Sequence, residues 1–217
     1  MSGMFINAFD FNQDISKWNV SSVIDMSNMF YGSTSFDQNI GNWDVSNVFS
    51  MYSMFNGASS FNNSGSTSIS GWNVSNVQTM VNMFKDSSFN QPIGSWNLIN
   101  VVEMDSMFMN SQFNQDIGNW YMTNKGNLYQ MFYNTPFDNG GSDSINNWNV
   151  SNVISMYQTF ESTPFNRNIG SWNVSQVQNM DSMFKNASLF NQNLGNWNVS
   201  NVLYANNMLD NCGMSQK

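Results

Sequence analysis

Histidine is absent from this 217-residue chain, and cysteine, proline and charged residues are scarce. Without histidine the chain cannot build Ser-His or Cys-His catalytic pairs or two-histidine metal sites, and the single Cys212 cannot form an internal disulfide. The net charge of −8 opposes binding to nucleic-acid phosphates and to anionic lipid surfaces. We therefore expect no enzyme activity, no catalytic or metal-binding residue, no cofactor and no nucleic-acid partner.

Long apolar runs are also missing. No window approaches the roughly 18 apolar residues that span a bilayer, and the first residues, MSGMFINAFDFNQD, lack a basic segment followed by an apolar stretch. No membrane insertion is expected, and the sequence as given shows no export signal. Hydrophobic residues nevertheless make up 41% of the chain and aromatic residues 15%, so we expect it to fold.

An internal repeat organises the whole sequence. Eight tryptophans stand at positions whose successive differences are 25, 29, 24, 24, 28, 24 and 25, namely Trp18, Trp43, Trp72, Trp96, Trp120, Trp148, Trp172 and Trp197. Aligned on Trp, the units share the pattern I-x-x-W-N-V-S-N-V-x-x-M-x-x-M-F, followed by a second Phe and then Asn. The two longer units carry four-residue insertions rich in Gly and Ser, which we expect to project from one edge. The chain is therefore one tandem-repeat domain, residues 1–217.

The apolar spacing within each unit predicts its local structure. Ile15, Trp18 and Val20 alternate with polar residues, as in a short strand with one buried face. Val23, Met26, Met29 and Phe30 follow at helical spacing. We therefore predict an α/β, leucine-rich-repeat-like solenoid of about eight strand-plus-short-helix units, with a parallel sheet on one face and columns of Trp and Phe in the core.

The motif resembles the repeat of the BspA-like leucine-rich-repeat surface proteins, in particular the Trp-, Met- and Asn-rich variant of mycoplasmal surface lipoproteins. The spacing is kept along the whole chain, and Cys212, Ala8 and Ala58 occupy the Cys or Ala position of the family pattern. The resemblance implies an extracellular or cell-surface location and an adhesive role with a protein or glycan partner. Similar repeats in large viruses and microbial eukaryotes leave a virion or intracellular setting open.

A polar row follows the tryptophans. Because side chains alternate along a strand, the residue after each Trp should face solvent. We call these residues the Asn row: Asn19, Asp44, Asn73, Asn97, Tyr121, Asn149, Asn173 and Asn198. Two interpretations stay open: the amides bond one another and support the sheet, or they form a recognition face for a polar ligand.

One unit departs from the pattern. Lys125 and Gly126 stand where the other units begin their Met-rich half with Val, and Tyr121 replaces the usual Asn. A lysine at an inward position is either drawn to the surface by local distortion or paired with a carboxylate. Two interpretations of this unit stay open: a locally irregular repeat, or a functional break that faces a ligand near Tyr121.

Both ends of the array are expected to be truncated or uncapped, because Met1 stands in register with Met26 and the last unit stops without its closing Phe. We expect the uncovered hydrophobic layers to be covered by further repeats, by another chain or by end-to-end association of copies. A surface recognition module is therefore the preferred function. A structural element of a virion or surface layer is the alternative.

Overall fold

The repeats form coils that stack in parallel along one axis. The structure, a computed structural model, describes residues 1–214. Equivalent residues of successive coils lie side by side and pair as isolated parallel bridges. The bridges join Asp25 to Ser50, Ser50 to Thr79, Thr79 to Glu103, Asn127 to Ser155, Ser155 to Asn179 and Asn179 to Tyr204. Each bridge involves one residue per coil.

The predicted α/β solenoid with a parallel sheet is wrong. Within residues 1–214 the bridges do not extend into strands, and no α-helix occurs. The helical elements described are four short 3₁₀ helices, Asn63–Gly65, Thr67–Gly71, Asn139–Gly141 and Asp143–Asn147. All four lie in the two insertions, so the repeated part of the chain is built from turns.

Left-handed backbone conformations explain why the Met-rich half of each unit is not a helix. We call this half, residues 24–32 and its equivalents, the Met segment. Two residues per Met segment, four positions apart, have φ between 50° and 73°. The first set is Gly3, Asn28, Ser53, Asn82, Ser106, Gln130, Gln158, Ser182 and Asn207, and the second is Asn7, Gly32, Gly57, Asp86, Asn110, Asn134, Ser162, Asn186 and Asn211. A right-handed helix cannot continue through such residues.

Hydrogen bonding in the Met segment alternates between the coil and its neighbour. The N–H of Met29 donates to the carbonyl of Met26 within a turn. The N–H groups of Asn28 and Phe30 instead donate to the carbonyls of Tyr52 and Met54 in the next coil. Apolar side chains thus recur at the spacing of a helix although the chain makes overlapping turns, which is why periodicity alone was misleading.

Side-chain donors explain why the Trp-containing half forms no sheet. The N–H of Trp43 donates to the carbonyl of Ile40 in a local turn, at 3.0 Å, so it does not pair with a neighbouring coil. The indole Nε1–H of Trp43 donates across coils to the carbonyl of Ile15, at 3.1 Å. The same bond, at 3.0–3.2 Å, is made by every later tryptophan, Trp72, Trp96, Trp120, Trp148, Trp172 and Trp197.

The core is continuous through the stack, as the repeat pattern predicted. The Ile, Trp, Val, Met and Phe positions of the inner coils are buried. Phe30 and Phe36 stack within one coil with ring centroids 3.9 Å apart, and Phe30 lies 5.5 Å from Phe55 of the next coil. The methionines fill the space between these columns, where an unbranched thioether adapts to irregular gaps.

Both insertions fold back on the preceding coil instead of projecting freely. In each, a fully buried asparagine anchors the loop. The side-chain oxygen of Asn63 accepts the N–H of Ile40 at 2.9 Å, and that of Asn139 accepts the N–H of Ile117 at 3.0 Å. The amide of Asn63 in turn donates to the carbonyl of Ser66 at 2.7 Å. The anchors satisfy backbone groups that would otherwise be buried without a partner.

Candidate functional site

The structure places every residue of the Asn row on the surface, as the alternation predicts. Asn19, Asp44, Asn73, Asn97, Tyr121, Asn149, Asn173 and Asn198 are all exposed, on the turn that follows the buried Trp. Successive members belong to neighbouring coils, so the row runs along the axis of the stack.

The interpretation in which these amides bond one another is wrong, because each side chain closes its own turn. The Oδ1 atoms accept the backbone N–H two residues later, at 3.1–3.2 Å, in Asn19, Asn73, Asn97, Asn149, Asn173 and Asn198. Asp44 does the same with Ser46, and these hydrogen bonds lower the pKa of its carboxyl group. Such Asx turns fix the side-chain rotamer.

The amide NH₂ groups of these six asparagines have no hydrogen-bond partner within residues 1–214. Each holds its oxygen on the protein and leaves two donors towards solvent. Tyr121 interrupts this pattern with an exposed phenol ring. The arrangement can therefore donate hydrogen bonds to acceptors spaced along the stack, such as carbonyl or hydroxyl oxygens.

A further asparagine row joins the coils and was missed from the sequence. Its members stand three residues after the Asn row and donate their amides to a carbonyl of the preceding coil at 2.6–2.8 Å. They are Asn47, Asn76, Asn100, Asn124, Asn152 and Asn201. The second Asn of the N-V-S-N pattern was the available signal. Its regularity indicates a structural role.

The row after the closing Phe satisfies turn backbone. In each member except the last, Asn191, the Oδ1 atom accepts the backbone N–H of the equivalent residue one coil later, at 2.8–3.0 Å. The row is Asn12, Asp37, Asn62, Asn90, Asn114, Asp138, Asn166 and Asn191. Asp138 also forms a salt bridge with Arg167 at 2.7 Å. This row belongs to the scaffold.

Lys125 is fully buried, and neither distortion to the surface nor a carboxylate partner accounts for it. Its ammonium donates to the carbonyls of Leu98, at 3.1 Å, and Val101, and to the side chain of neighbouring Asn124. Burial lowers the pKa of Lys125 to about 8. The parallel bridge that joins other neighbouring coils is missing here, between Glu103 and Asn127, within the described chain.

Residues 1–214 contain no group of three or more His, Cys, Asp or Glu side chains placed to hold a metal ion. No helix among them combines the length and apolar character needed to cross a membrane.

One protein family matches the sequence. The family model described as "Mycoplasma protein of unknown function, DUF285" matches three successive segments, residues 1–68, 64–144 and 142–217. No curated protein and no solved structure matches the chain. The matched segments together cover the full sequence and follow the tandem repetition of the coils. The chain therefore belongs to the DUF285 family of Mycoplasma proteins of unknown function.

Proposed function

We propose that the chain is a non-enzymatic recognition module that binds a protein or glycan at a cell surface through the Asn row. The observation that supports this most is the row of six asparagines whose oxygens are bound in turns while their NH₂ groups are unpaired and exposed. Side chains already held in one rotamer lose little entropy when they bind a ligand. The surface location rests on the resemblance to BspA-like surface proteins.

An Asn to Asp exchange tests this proposal without breaking the turns. Asp keeps the oxygen that accepts the turn N–H but removes the amide donors, and Asp44 already occupies the row in this way. We expect Asn73→Asp, Asn97→Asp and Asn149→Asp together to abolish binding of the labelled chain to a printed glycan array and to cultured animal cells. The melting temperature should change little.

A control of equal charge separates loss of donors from general repulsion. Gln78→Glu, Asn127→Asp and Gln178→Glu add the same three charges to exposed positions in the Met segments. Binding should survive in this control. If the triple Asn-row variant binds as well as the unmodified chain, or only loses stability, the Asn row is not the recognition surface.

An assembly role through the ends of the stack is the second candidate. The outermost described coils expose apolar side chains whose counterparts in the inner coils, such as Met29 and Phe184, are buried. Among them are Met4, 53% exposed, and Leu209, 41% exposed. Exposed apolar patches of this kind favour contact with another protein surface. The neighbour would be a further segment of the same protein, another chain or a second copy.

A further inference from the structure

The first insertion forms one wall of a polar cavity. Ser68 on the insertion donates its hydroxyl to the Oδ1 of Asn39 at 2.8 Å, which holds the loop against the preceding coil. The loop approaches so closely that a Cβ at Gly41 would lie 1.9 Å from the Oγ of Ser68. The wall is therefore fixed by close packing and by a partly buried hydrogen bond.

The cavity has a volume of about 270 Å³ and lies between the first two coils and the insertion. All six lining side chains are polar: Asp14, Ser16, Gln38, Asn39, Asn42 and Ser64. This volume is slightly below the range of roughly 300–1,000 Å³ that holds drug-sized ligands. It suits a small polar molecule or one ring of a larger one.

Several polar atoms of the lining are unpaired within residues 1–214. Asn39 uses its Oδ1 twice, for the N–H of Gly41 and for Ser68, and its NH₂ group has no partner. The side chains of Asn42 and Ser64 make no hydrogen bond in the described chain. The lining therefore presents both hydrogen-bond donors and acceptors.

Asp14 supplies the one carboxylate. Its Oδ1 accepts the N–H of Ser16 at 2.9 Å. Hydrogen bonds from the Ser16 hydroxyl and N–H lower the pKa of Asp14, so it is an ionised acceptor at neutral pH. The charge of nearby Lys17 lowers this pKa further, and the lining itself holds no lysine or arginine. A single carboxylate falls short of the several carboxylates typical of calcium sites.

The second insertion provides a natural comparison, because it docks in the same way on its own preceding coil. Three of the six lining positions lose their side-chain polar groups there: Pro92 replaces Asp14, Gly94 replaces Ser16 and Gly140 replaces Ser64. Asn119 is the counterpart of Asn42. The chain therefore carries the full set of lining side chains at the first insertion and only part of that set at the second.

We infer that the cavity beside the first insertion binds a single sugar ring of a glycan. Neighbouring ring hydroxyls both donate and accept, which matches the mixture of amides, hydroxyls and one carboxylate around it. The lining has no aromatic ring for a nucleobase and no basic group for a phosphate. The inference rests on the proposed recognition function and adds a defined subsite outside the Asn row.

The test is a titration of the ¹⁵N-labelled full chain with the methyl glycosides of glucose, galactose, mannose and N-acetylglucosamine, followed by NMR. At least one glycoside should shift the side-chain amide signals of Asn39 and Asn42 in a saturable manner, with a Kd on the order of 1 mM. The signal of Asn119 should not move. If no glycoside shifts these amides, the inference is overturned.

Two variants and one control define the site. Ser64→Gly reproduces the residue at the same position of the second insertion. Ser64→Gly and Asn42→Ala should each weaken the affinity of the chain for the glycoside about 5–10-fold, because each removes a hydrogen-bonding side chain. Asn119→Ala should leave it unchanged. Equal effects of all three variants would overturn the inference, as would saturable shifts of the same amides by calcium chloride with no response to sugars.

The outcomes also separate this inference from the proposed function. Shifts confined to the amides of Asn73, Asn97 and Asn149 would overturn the cavity as a subsite and leave the Asn row as the recognition surface. Saturable binding in the cavity, with cell binding that survives the Asn-row substitutions, would overturn the proposed role of the row while the cavity stands.

Discussion

Individual tryptophans do two things in this molecule: they fill the core and they carry a hydrogen bond from one coil to the one before it. Trp96, for example, is 3% exposed and donates its indole N–H to the carbonyl of Ile69 at 3.1 Å. The aromatic ring explains why the residue is large and apolar, and the bond explains why it is Trp instead of Phe.

We expect Trp96→Ala to lower the free energy of unfolding by about 3–5 kcal/mol, because it empties a core site and leaves a carbonyl unpaired. Trp96→Phe should cost less, about 1–3 kcal/mol, since most of the packing remains. Denaturant unfolding measures both. An unchanged midpoint for Trp96→Ala would contradict the structural role assigned to the indole.

Lys125 predicts a pH dependence of stability. Its pKa is about 8 in the folded chain against an ordinary value of 10.5, so between these values the unfolded state binds more protons. Stability should therefore rise as the pH increases from about 8 to 10.5, and it should be lowest below pH 8, where the buried ammonium is charged. Integrated over this window, the effect is about 3 kcal/mol.

Lys125→Val restores the residue found at the same position in the coils of Val48, Val77 and Val153. We expect the variant to be more stable than the parent at pH 7, with a difference that shrinks as the pH rises. Lys17→Val, at an exposed position, should show no such trend. A pH-independent difference for Lys125→Val would show that the charge is not the cause.

At the level of the element, the Met segment was predicted as a helix and is a chain of turns. Its inward residues were nevertheless identified correctly, because burial of Met and Phe follows from their spacing in either structure. The signal for turns was present at the second left-handed position, which carries Gly32, Gly57, Asp86 and Asn110 in successive units. These residue types tolerate positive φ, and the helical spacing concealed them.

The left-handed positions make a testable distinction between residue types. Asn82 has φ of 56°, so Asn82→Gly should be tolerated whereas Asn82→Val should destabilise the chain by about 1–3 kcal/mol. Gln78→Val, at an exposed position outside the left-handed set, serves as the control. Equal melting temperatures for Asn82→Gly and Asn82→Val would contradict the backbone conformation described here.

The absence of a sheet could not have been predicted from apolar alternation. Alternation requires only that Ile, Trp and Val point inward, and the structure confirms that they do. Which groups form hydrogen bonds to the neighbouring coil depends on the reach of the Trp indole and of the asparagines equivalent to Asn47. Likewise, the sequence indicated the exposure of the Asn row correctly, but it did not reveal that each amide closes its own turn.

At the scale of the whole molecule, the junction beside Lys125 lacks two backbone hydrogen bonds that the other inner junctions of the described chain make. Elsewhere the N–H of Met80 donates to the carbonyl of Glu103, and that of Ile154 to the carbonyl of Gly126. The equivalent bonds, from Met104 to Asn127 and from Gly126 to Val102, are missing from the described chain. In a stack stabilised only by nearest neighbours, one poor interface limits cooperativity.

Hydrogen exchange should locate this junction. The amides of Met104 and Gly126 are expected to exchange at least about tenfold faster than those of Met80 and Ile154, because the local opening costs less free energy. Lys125→Val should reduce the difference if the lysine causes the gap. Uniform protection along the stack would contradict a weak junction.

Association through the ends is tested by charge. Met4 and Leu209 are exposed on opposite outer coils, so Met4→Glu and Leu209→Lys should each shift any head-to-tail species towards monomer in light scattering. Gln78→Glu, which adds a charge at an exposed position of an inner coil, is the control. A chain that stays monomeric at high concentration, in both parent and variants, would exclude this assembly.

The bonds between successive coils also determine how the molecule responds to pulling. Because each coil contacts only its neighbours, tension along the stack opens one junction at a time, beginning with the junction beside Lys125. Each 24-residue unit that unfolds shortens the stack by about 5 Å but releases about 80 Å of extended chain. Anchored at one end and loaded at the other, the array would lengthen in steps and keep the force on each remaining coil nearly constant.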